Sequence, residues 1–430
     1  MNIRGTAAQV LAQVFRGRSL SSALPPHAEC LDKSEKGMLM DLCYGSLRWF
    51  PQIEFYLKAL LKKPLRSKDL EIKALLVSGI YQLMNSQTPP YAVVHSSVSA
   101  TEVLGRSWAK NLVNGVLRSF LRQQETLSKS LSDNRCFVTA HPAWILKALD
   151  EAWPQESSDI VQANNARAPM ILRVNKTKCS RDDYMNQLQE AGLKAKHTLY
   201  SREGIQLETP SDISKLPNFE EGFCSVQDEA AQLAAGLLDL KPGQTVLDAC
   251  SAPGGKTAHI AETQPRLRSL LAIDKDSGRL QKVKENLARL HLQCDTLHAD
   301  STNPQEWWDG SFFDRILIDA PCTGTGVIRR HPDIKLLRKA SDIEKLSCNQ
   351  ISLLAGLWPT LKQGGILLYS TCSVMPAEND KVIKNFLQEV KTARLQPIKG
   401  EWGLATPSGR QLFPTLNGHD GFYYARLHKL

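Results

Sequence analysis

Two thiols and a row of carboxylates mark where side chains of this 430-residue chain can do chemistry. Cys322 sits in DAPCTGTG (319–326) and Cys372 in YSTCS (369–373), each at the end of an apolar run. A thiol in a turn above a parallel sheet, among exposed backbone N–H groups, can be a thiolate nucleophile. A thiol buried in packing is inert, and that is the role expected of Cys43, Cys294 and Cys348. Four aspartates, Asp248, Asp274, Asp300 and Asp319, each close a candidate strand. Capping of a following helix accounts for one such residue. Four at one sheet edge are costly unless they meet donors or cations, so they point to a ligand.

The glycine turn beside them, DACSAPGGKT (248–257), narrows the ligand's chemistry. A phosphate loop, G-x-x-x-x-G-K-[ST], needs a glycine where Cys250 stands. The dinucleotide fingerprint G-x-G-x-x-G fails as well, because Gly254 and Gly255 are adjacent. What remains is an acid at a strand end before a turn of small residues, which suits a cationic or hydroxyl-rich ligand. Asp274 closes the next strand, where a nucleotide-binding acid accepts hydrogen bonds from ribose hydroxyls. Asp300 is expected at the adenine amino group. S-adenosylmethionine, with its sulfonium, ammonium, ribose diol and adenine amine, fits this edge better than ATP.

Such residues need a scaffold, and the pattern from about residue 240 supplies one. Short apolar runs TVLDA, SLLAID, CDTLHAD, RILIDA and GGILLYSTC alternate with helical stretches such as SGRLQKVKENLARLHL. That alternation specifies an open, mostly parallel sheet with helices on both faces. Ligands of such sheets bind outside the C-terminal strand ends. Upstream, MILRVN, LKAKHTL and GIQLET read as strands and RDDYMNQLQEAG as a helix ending at Gly192. Residues 1–125 read as all helix: Ile3, Ala7, Val10, Leu11 and Val14 keep helical spacing, and prolines at 25–26, 51, 64 and 89–90 punctuate the runs. Residues 126–140 read as a polar linker, after which HPAWILKALDEAW starts a helix.

Composition sets the outer bounds. The hydrophobic fraction is 42% and the charged fraction 23%, an ordinary globular balance. No apolar stretch is long enough to predict a membrane span. Arginines interrupt the N-terminal apolar run, against a signal peptide. Ten cysteines without a C-x-x-C pair read as free thiols of a reducing cytosol, with no metal site. Net charge is +9, and residues 1–150 hold 19 Lys and Arg against 11 acids, while the rest holds 34 against 33. Such asymmetry suggests a polyanionic partner, most often nucleic acid. Basic residues cluster at Arg16, Arg18, Lys62, Lys63, Arg66 and Lys68, and again at Arg106, Lys110, Arg118 and Arg122. Arg118 and Arg122, four apart, share a helix face.

DAPCTGTG paired with YSTCS, behind DACSAPGGKT, closely resembles the RNA cytosine-5 methyltransferases. SVQDEAAQ (225–232), RRHPDI (329–334), PAEN (376–379) and the terminal HDGFYYARL extend the match. AVVHSSVSATEV and KNLVNGVLR resemble the antitermination-factor (NusB-like) RNA-binding domain, and the domain order resembles the bacterial small-subunit (16S) ribosomal RNA members. The resemblance implies a multidomain chain. An all-α NusB-like RNA-binding domain spans 1–130 and a small α+β RNA-binding subdomain 140–230. A C-terminal α/β Rossmann-like class I methyltransferase domain spans 231–430.

It also implies the chemistry. Cytosine C5 is too weak a nucleophile to attack a methyl sulfonium, and a thiolate adding at C6 makes C5 electron-rich. Cys372 of the T-C motif would be the nucleophile and Cys322 of the P-C motif would assist product release. DNA cytosine-5 methyltransferases use the proline–cysteine thiol instead, which would make Cys322 the nucleophile; the second thiol favours Cys372. Asp319 would bind the cytosine N3/N4 edge and also border the cofactor, and Lys256 would place or neutralise nearby carboxylates. Ser251, Ala252, Pro253, Gly254, Gly255, Lys256 and Thr257 would wrap S-adenosylmethionine, with Asp274 on the ribose and Asp300 at the adenine. The target base must be unpaired or flipped, and Arg329, Arg330 and His331 are expected to line its path. The implied partner is 16S ribosomal RNA, met in the cytoplasm by a monomer without membrane contact. A transfer RNA substrate is one alternative. A non-catalytic RNA-binding assembly factor is another, and it predicts loss of the thiols or the acid row, both of which are present.

Overall fold

The structure, a computed structural model, describes residues 2–430. The chain forms two compact units, one of residues up to Ala166 plus Ile328–Ala340, the other of Arg167–Val327 plus Ser341–Leu430.

The first unit is helical. Its main helices are Ile3–Phe15, Lys33–Arg48, Phe50–Leu60, Leu70–Asn85, Pro90–Val103 and Lys110–Ser130. Local chemistry starts them: Asn2 accepts from the Arg4 and Gly5 N–H groups, Asp32 accepts from Glu35 N, and Pro51 and Pro90 occupy first-turn positions. Ala7, Val10, Leu11 and Val14 are buried, as their spacing predicts. Gly45 is required where Tyr81 crosses, because a Cβ there would lie 2.0 Å from the ring. The stretch 126–140 is not a linker. The helix runs on to Ser130, and a second one, Arg135–Thr139, drives Phe137 into the core edge-on to Tyr56, with ring centroids 5.2 Å apart. Leu127, Leu131 and Phe137 outweigh the polar residues around them in deciding the local structure.

Ile328–Ala340 completes this unit from far along the chain. Leu336 and Leu337 pack on the helical core. Buried Lys335 donates to the carbonyls of Arg48 and Ala140, both at 3.0 Å, and to Asn165 Oδ1 at 2.5 Å. Burial, and then the nearby Arg48, hold its ammonium well below the usual lysine range. Asp333 Oδ2 accepts from Leu20 N at 3.1 Å.

The second unit contains two sheets. The smaller is antiparallel, of order β2-β3-β1-β4, with β1 Ile171–Val174, β2 Ala195–His197, β3 Gly204–Leu207 and β4 Cys224–Val226. Helix Arg181–Glu190 buries Tyr184 and Leu188, and both belong to the same apolar cluster as Leu172, Val174, Ile205 and Leu207 of the strands. Arg173 of β1 is fully buried. It grips both carboxylate oxygens of Glu262 (2.9 and 2.7 Å) and donates to Gly255 O at 2.7 Å, fastening this sheet to helix Gly255–Thr263.

The larger sheet contains β5 Thr245–Asp248, β6 Ser269–Asp274, β7 Asp295–His298, β8 Phe313–Asp319, β9 Leu361–Thr371, β10 Ala393–Leu395, β11 Leu404–Thr406, β12 Gly409–Leu412 and β13 Phe422–Lys429. Its order is β11-β12-β13-β9-β8-β5-β6-β7, with β10 beside β13. β9, β8, β5, β6 and β7 are parallel, and β13 runs antiparallel to β9. The central runs are apolar on both faces because helices cover both. β6 lies on one side of β5 and β8 on the other, so the strand order reverses at β5, and that reversal opens a crevice at the C-terminal ends. No helix among the described residues is long and apolar enough to cross a membrane.

Candidate active site

The crevice is lined by Ala252 of the glycine turn, Asp274 at the end of β6 and Asp300 after β7. Asp319 at the end of β8 and both Cys322 and Cys372 complete it. The two sulfurs lie 3.4 Å apart. Two parallel neighbours, β8 and β9, end side by side and turn over the sheet, which brings residues fifty positions apart into contact. Cys322 is buried while Cys372 is half-exposed. The hydrogen bond with Cys372, burial and the charge of Glu378 push the Cys322 thiol well above the usual thiol range, so it keeps its proton.

Glu378 holds the two thiol turns together. It is buried, and it accepts from Thr323 N at 2.7 Å, Thr323 Oγ1 at 2.5 Å and Ser373 Oγ at 2.5 Å, the residues following each cysteine. Burial raises its carboxyl against the opposing pull of those hydrogen bonds. Its neighbour Asn379 accepts from Thr371 Oγ1 and donates to Ser373 O. The PAEN stretch was part of the sequence resemblance, but nothing local in it signals a clamp on two loops.

The carboxylates divide by environment. Asp319 accepts from Lys256 Nζ at 2.6 Å and from Ser370 Oγ at 3.0 Å. Lys256 also stands 4.9 Å from the centre of the Phe422 ring. Asp274 accepts from the N–H groups of Ala252 (3.1 Å) and Asp276 (3.0 Å), so it shapes the turn at the cleft floor. Asp248 does not reach the cleft. It is fully buried behind it, takes one hydrogen bond from Thr257 Oγ1, and is pushed up to about 7 by burial. Asp300 does not close its strand: β7 ends at His298, and the exposed carboxylate accepts from the N–H and hydroxyl of Thr302 in the following turn. Those bonds hold it below the usual range. A short side chain that caps its own turn competes with the ladder.

Of the residues 251–257 expected to wrap the cofactor, only Ala252 borders the crevice, joined by Ala249 and Cys250 just before them. Ser251, Gly254 and Thr257 are buried behind it, Gly255 carries the carbonyl that Arg173 grips, and Pro253 faces outward. Arg279, not anticipated from sequence, joins the lining and donates to Ala252 O at 2.8 Å. Arg329 cannot border an open path, because it is buried in the segment Ile328–Ala340, its carbonyl taking a bond from Arg48; Arg330 is half-buried and His331 exposed. Cys43 is buried as expected and Cys294 partly so. Cys348 is exposed, on the outer side of helix Ala340–Leu357, which buries Gln350, Leu353, Leu354 and Leu357 instead.

Comparison with known proteins bears on this crevice. Residues 235–428 match the family described as 16S rRNA methyltransferase RsmB/F, residues 141–214 the RsmF/B-like ferredoxin-like domain, and residues 1–122 the NusB family. Ribosomal RNA small subunit methyltransferase B of Pseudomonas putida is 48% identical over 100% of this chain and 99% of its own. The protein of the same description from Pseudomonas syringae is also 48% identical, over 100% and 97%. The chain belongs to the RsmB/F family. It is an S-adenosylmethionine-dependent RNA methyltransferase. A crystallised methyltransferase homologue from Pyrococcus horikoshii shares 31% identity and a TM-score of 0.59, over 67% of this chain and 100% of that one. The donor set suits the family's cofactor: carboxylates for its cationic and hydroxyl groups, Arg279 for its carboxylate, and an unpartnered buried Ser251 hydroxyl behind the turn.

Proposed function

We propose that this RsmB/F-family chain methylates C5 of one cytosine in 16S ribosomal RNA through a covalent adduct to Cys372. The observation that carries the reading is the 3.4 Å approach of two unlike thiols beside an acid-lined crevice. Cys372, the accessible one, is the nucleophile that adds to C6 and makes C5 electron-rich. Asp274 and Asp300 hold S-adenosylmethionine beside Ala252, and its part is to supply the methyl group to C5. Asp319 faces the cytosine N3/N4 edge, with Lys256 holding its carboxylate in place. Water takes the C5 proton, the electron pair of that C–H bond restores the C5–C6 double bond, and the thiolate is expelled. Cys322 keeps its proton, and an S–H group 3.4 Å away stabilises the departing Cys372 thiolate. The remainder of the glycine turn supports the cofactor from behind Ala252. The reading places the work in the cytoplasm, by a single copy of the chain on RNA.

The thiol roles are tested on denaturing gels with small-subunit RNA. Cys322→Ala is expected to accumulate a denaturation-resistant protein–RNA adduct, and Cys372→Ala to form none and transfer no methyl group. The opposite pattern would exchange the roles. Mapping 5-methylcytosine in total RNA with and without the protein identifies the nucleotide, and a lost mark in transfer RNA alone would overturn the ribosomal assignment.

A further inference from the structure

A second cavity lies within the helical unit, between helices Pro90–Val103 and Lys110–Ser130. Tyr91, Val94, His95 and Val98 line it from the first helix at i, i+3, i+4 and i+7. Asn114, Arg118, Leu121 and Arg122 line it from the second at i, i+4, i+7 and i+8. Each set is one continuous helix face. Such a face ordinarily carries apolar residues toward a core. Here each carries a thin apolar floor, and the rest of the lining is aromatic, amide and cationic.

The ring of Tyr91 is 78% exposed, among the highest values for a large apolar side chain in the protein. Among the described residues Arg118 makes no hydrogen bond or ion pair, and Arg122 bonds only to the Ser119 hydroxyl at 3.0 Å. Both are exposed and four apart, with no acid on the cavity wall. Other arginines of this unit's surface have acidic partners: Arg16 pairs with Glu71 and Arg135 with Asp150. What sets the groove apart is the combination of two arginines and an exposed aromatic ring on one lining.

We infer that this groove binds a single-stranded stretch of the RNA, one unstacked base lying on Tyr91 and the adjoining phosphates meeting Arg118 and Arg122. The inference rests on the RNA reading above and adds a second contact point, separate from the reacting base. Any base offers a π-face, so stacking on tyrosine tolerates sequence, while guanidinium groups take phosphate oxygens in pairs. Asn114 and His95 offer donors and acceptors to the edge of the stacked base. Val94, Val98 and Leu121 give the ring and base a dry floor. The excess of basic residues in the first 150 positions matches a polyanion and disfavours a neutral or basic partner.

The test uses the full chain and a fluorescein-labelled single-stranded RNA oligonucleotide, with a duplex of the same length as comparison. Tyr91→Ala is expected to weaken single-strand binding about tenfold without changing its salt dependence. Tyr91→Phe is expected to retain it. Arg118→Ala and Arg122→Ala are expected to lower the slope of log affinity against log salt by about 1 each. The thermal shift given by S-adenosylmethionine serves as the folding control, and the variants should match the parent. Parental affinity in Tyr91→Ala, or an equal loss on the duplex, overturns the groove. If the parent methylates ribosomal RNA while the variants bind it unchanged, only the groove is rejected. If the parent binds and methylates no RNA, the underlying reading falls with it.

Discussion

Asp248 and Asp274 end neighbouring strands of one sheet, yet their surroundings give them different tasks. Asp274 meets two backbone N–H groups at the crevice floor, whereas Asp248 meets one hydroxyl and leaves Oδ1 without a partner. Burial lifts the folded-state value of Asp248 to about 7 against an ordinary value of 3.8. A carboxyl raised on folding binds its proton more tightly in the folded state. Its contribution is therefore fully present below the unfolded value and is lost as pH rises from about 4 to 7, a change on the order of 4 kcal/mol. Asp248→Asn is expected to flatten that stretch of the melting-temperature profile between pH 4 and pH 7. A variant whose profile falls as steeply as the parent's would reject the assignment. The residues at the crevice were legible because strand ends and turns declare themselves locally: Cys322, Cys372, Asp319 and its partner Lys256 all fall where the alternation of runs put them. Asp300 was misjudged by two positions because a turn that caps itself reads like the end of a strand.

At the scale of elements, what positions the site is a set of long-range polar contacts. Glu378 receives three hydrogen bonds from the turns after β8 and β9, and Arg173 joins β1 to the helix behind the glycine turn. Removing the acceptor strands the buried Thr323 N–H, at about 1–3 kcal/mol, while the Thr323 and Ser373 hydroxyls keep each other and Thr325 as partners. Glu378→Ala is expected to lower the melting temperature by roughly 2–12 °C. Adduct formation should fall about 100-fold, since a shift of one ångström between reacting groups costs that much. Differential scanning calorimetry and gel-resolved adduct yield read the two effects, and Glu378→Gln, which keeps one acceptor, should fall between variant and parent. Sequence could not reveal these contacts. A glutamate or arginine is ordinarily solvated, and only the tertiary partner, 55 residues away for Glu378 and Thr323 and 89 for Arg173 and Glu262, makes burial tolerable. The same blindness hid the antiparallel end of the large sheet, where β10 to β13 are short or polar and lack the βα rhythm that marks β5 to β9.

At the scale of the whole molecule, the segment Ile328–Ala340 belongs to the helical unit although it follows the Cys322 turn in sequence. RRHPDI was legible as a motif, but its basic residues suggested an RNA-facing surface, whereas Arg329 is buried and only His331 is exposed. A chain beginning at residue 167 would strip Lys335 of its three acceptors and Leu336 and Leu337 of their apolar partners. Such a truncation is expected to aggregate on expression; a soluble, monodisperse product by size-exclusion chromatography would contradict it. The discontinuity also orders events on the ribosome. The first 166 residues emerge early and begin to collapse, but their last piece is synthesised some 160 residues later. The nascent helical unit must wait for β5 to β8 of the catalytic sheet to be translated, so it cannot be completed ahead of them.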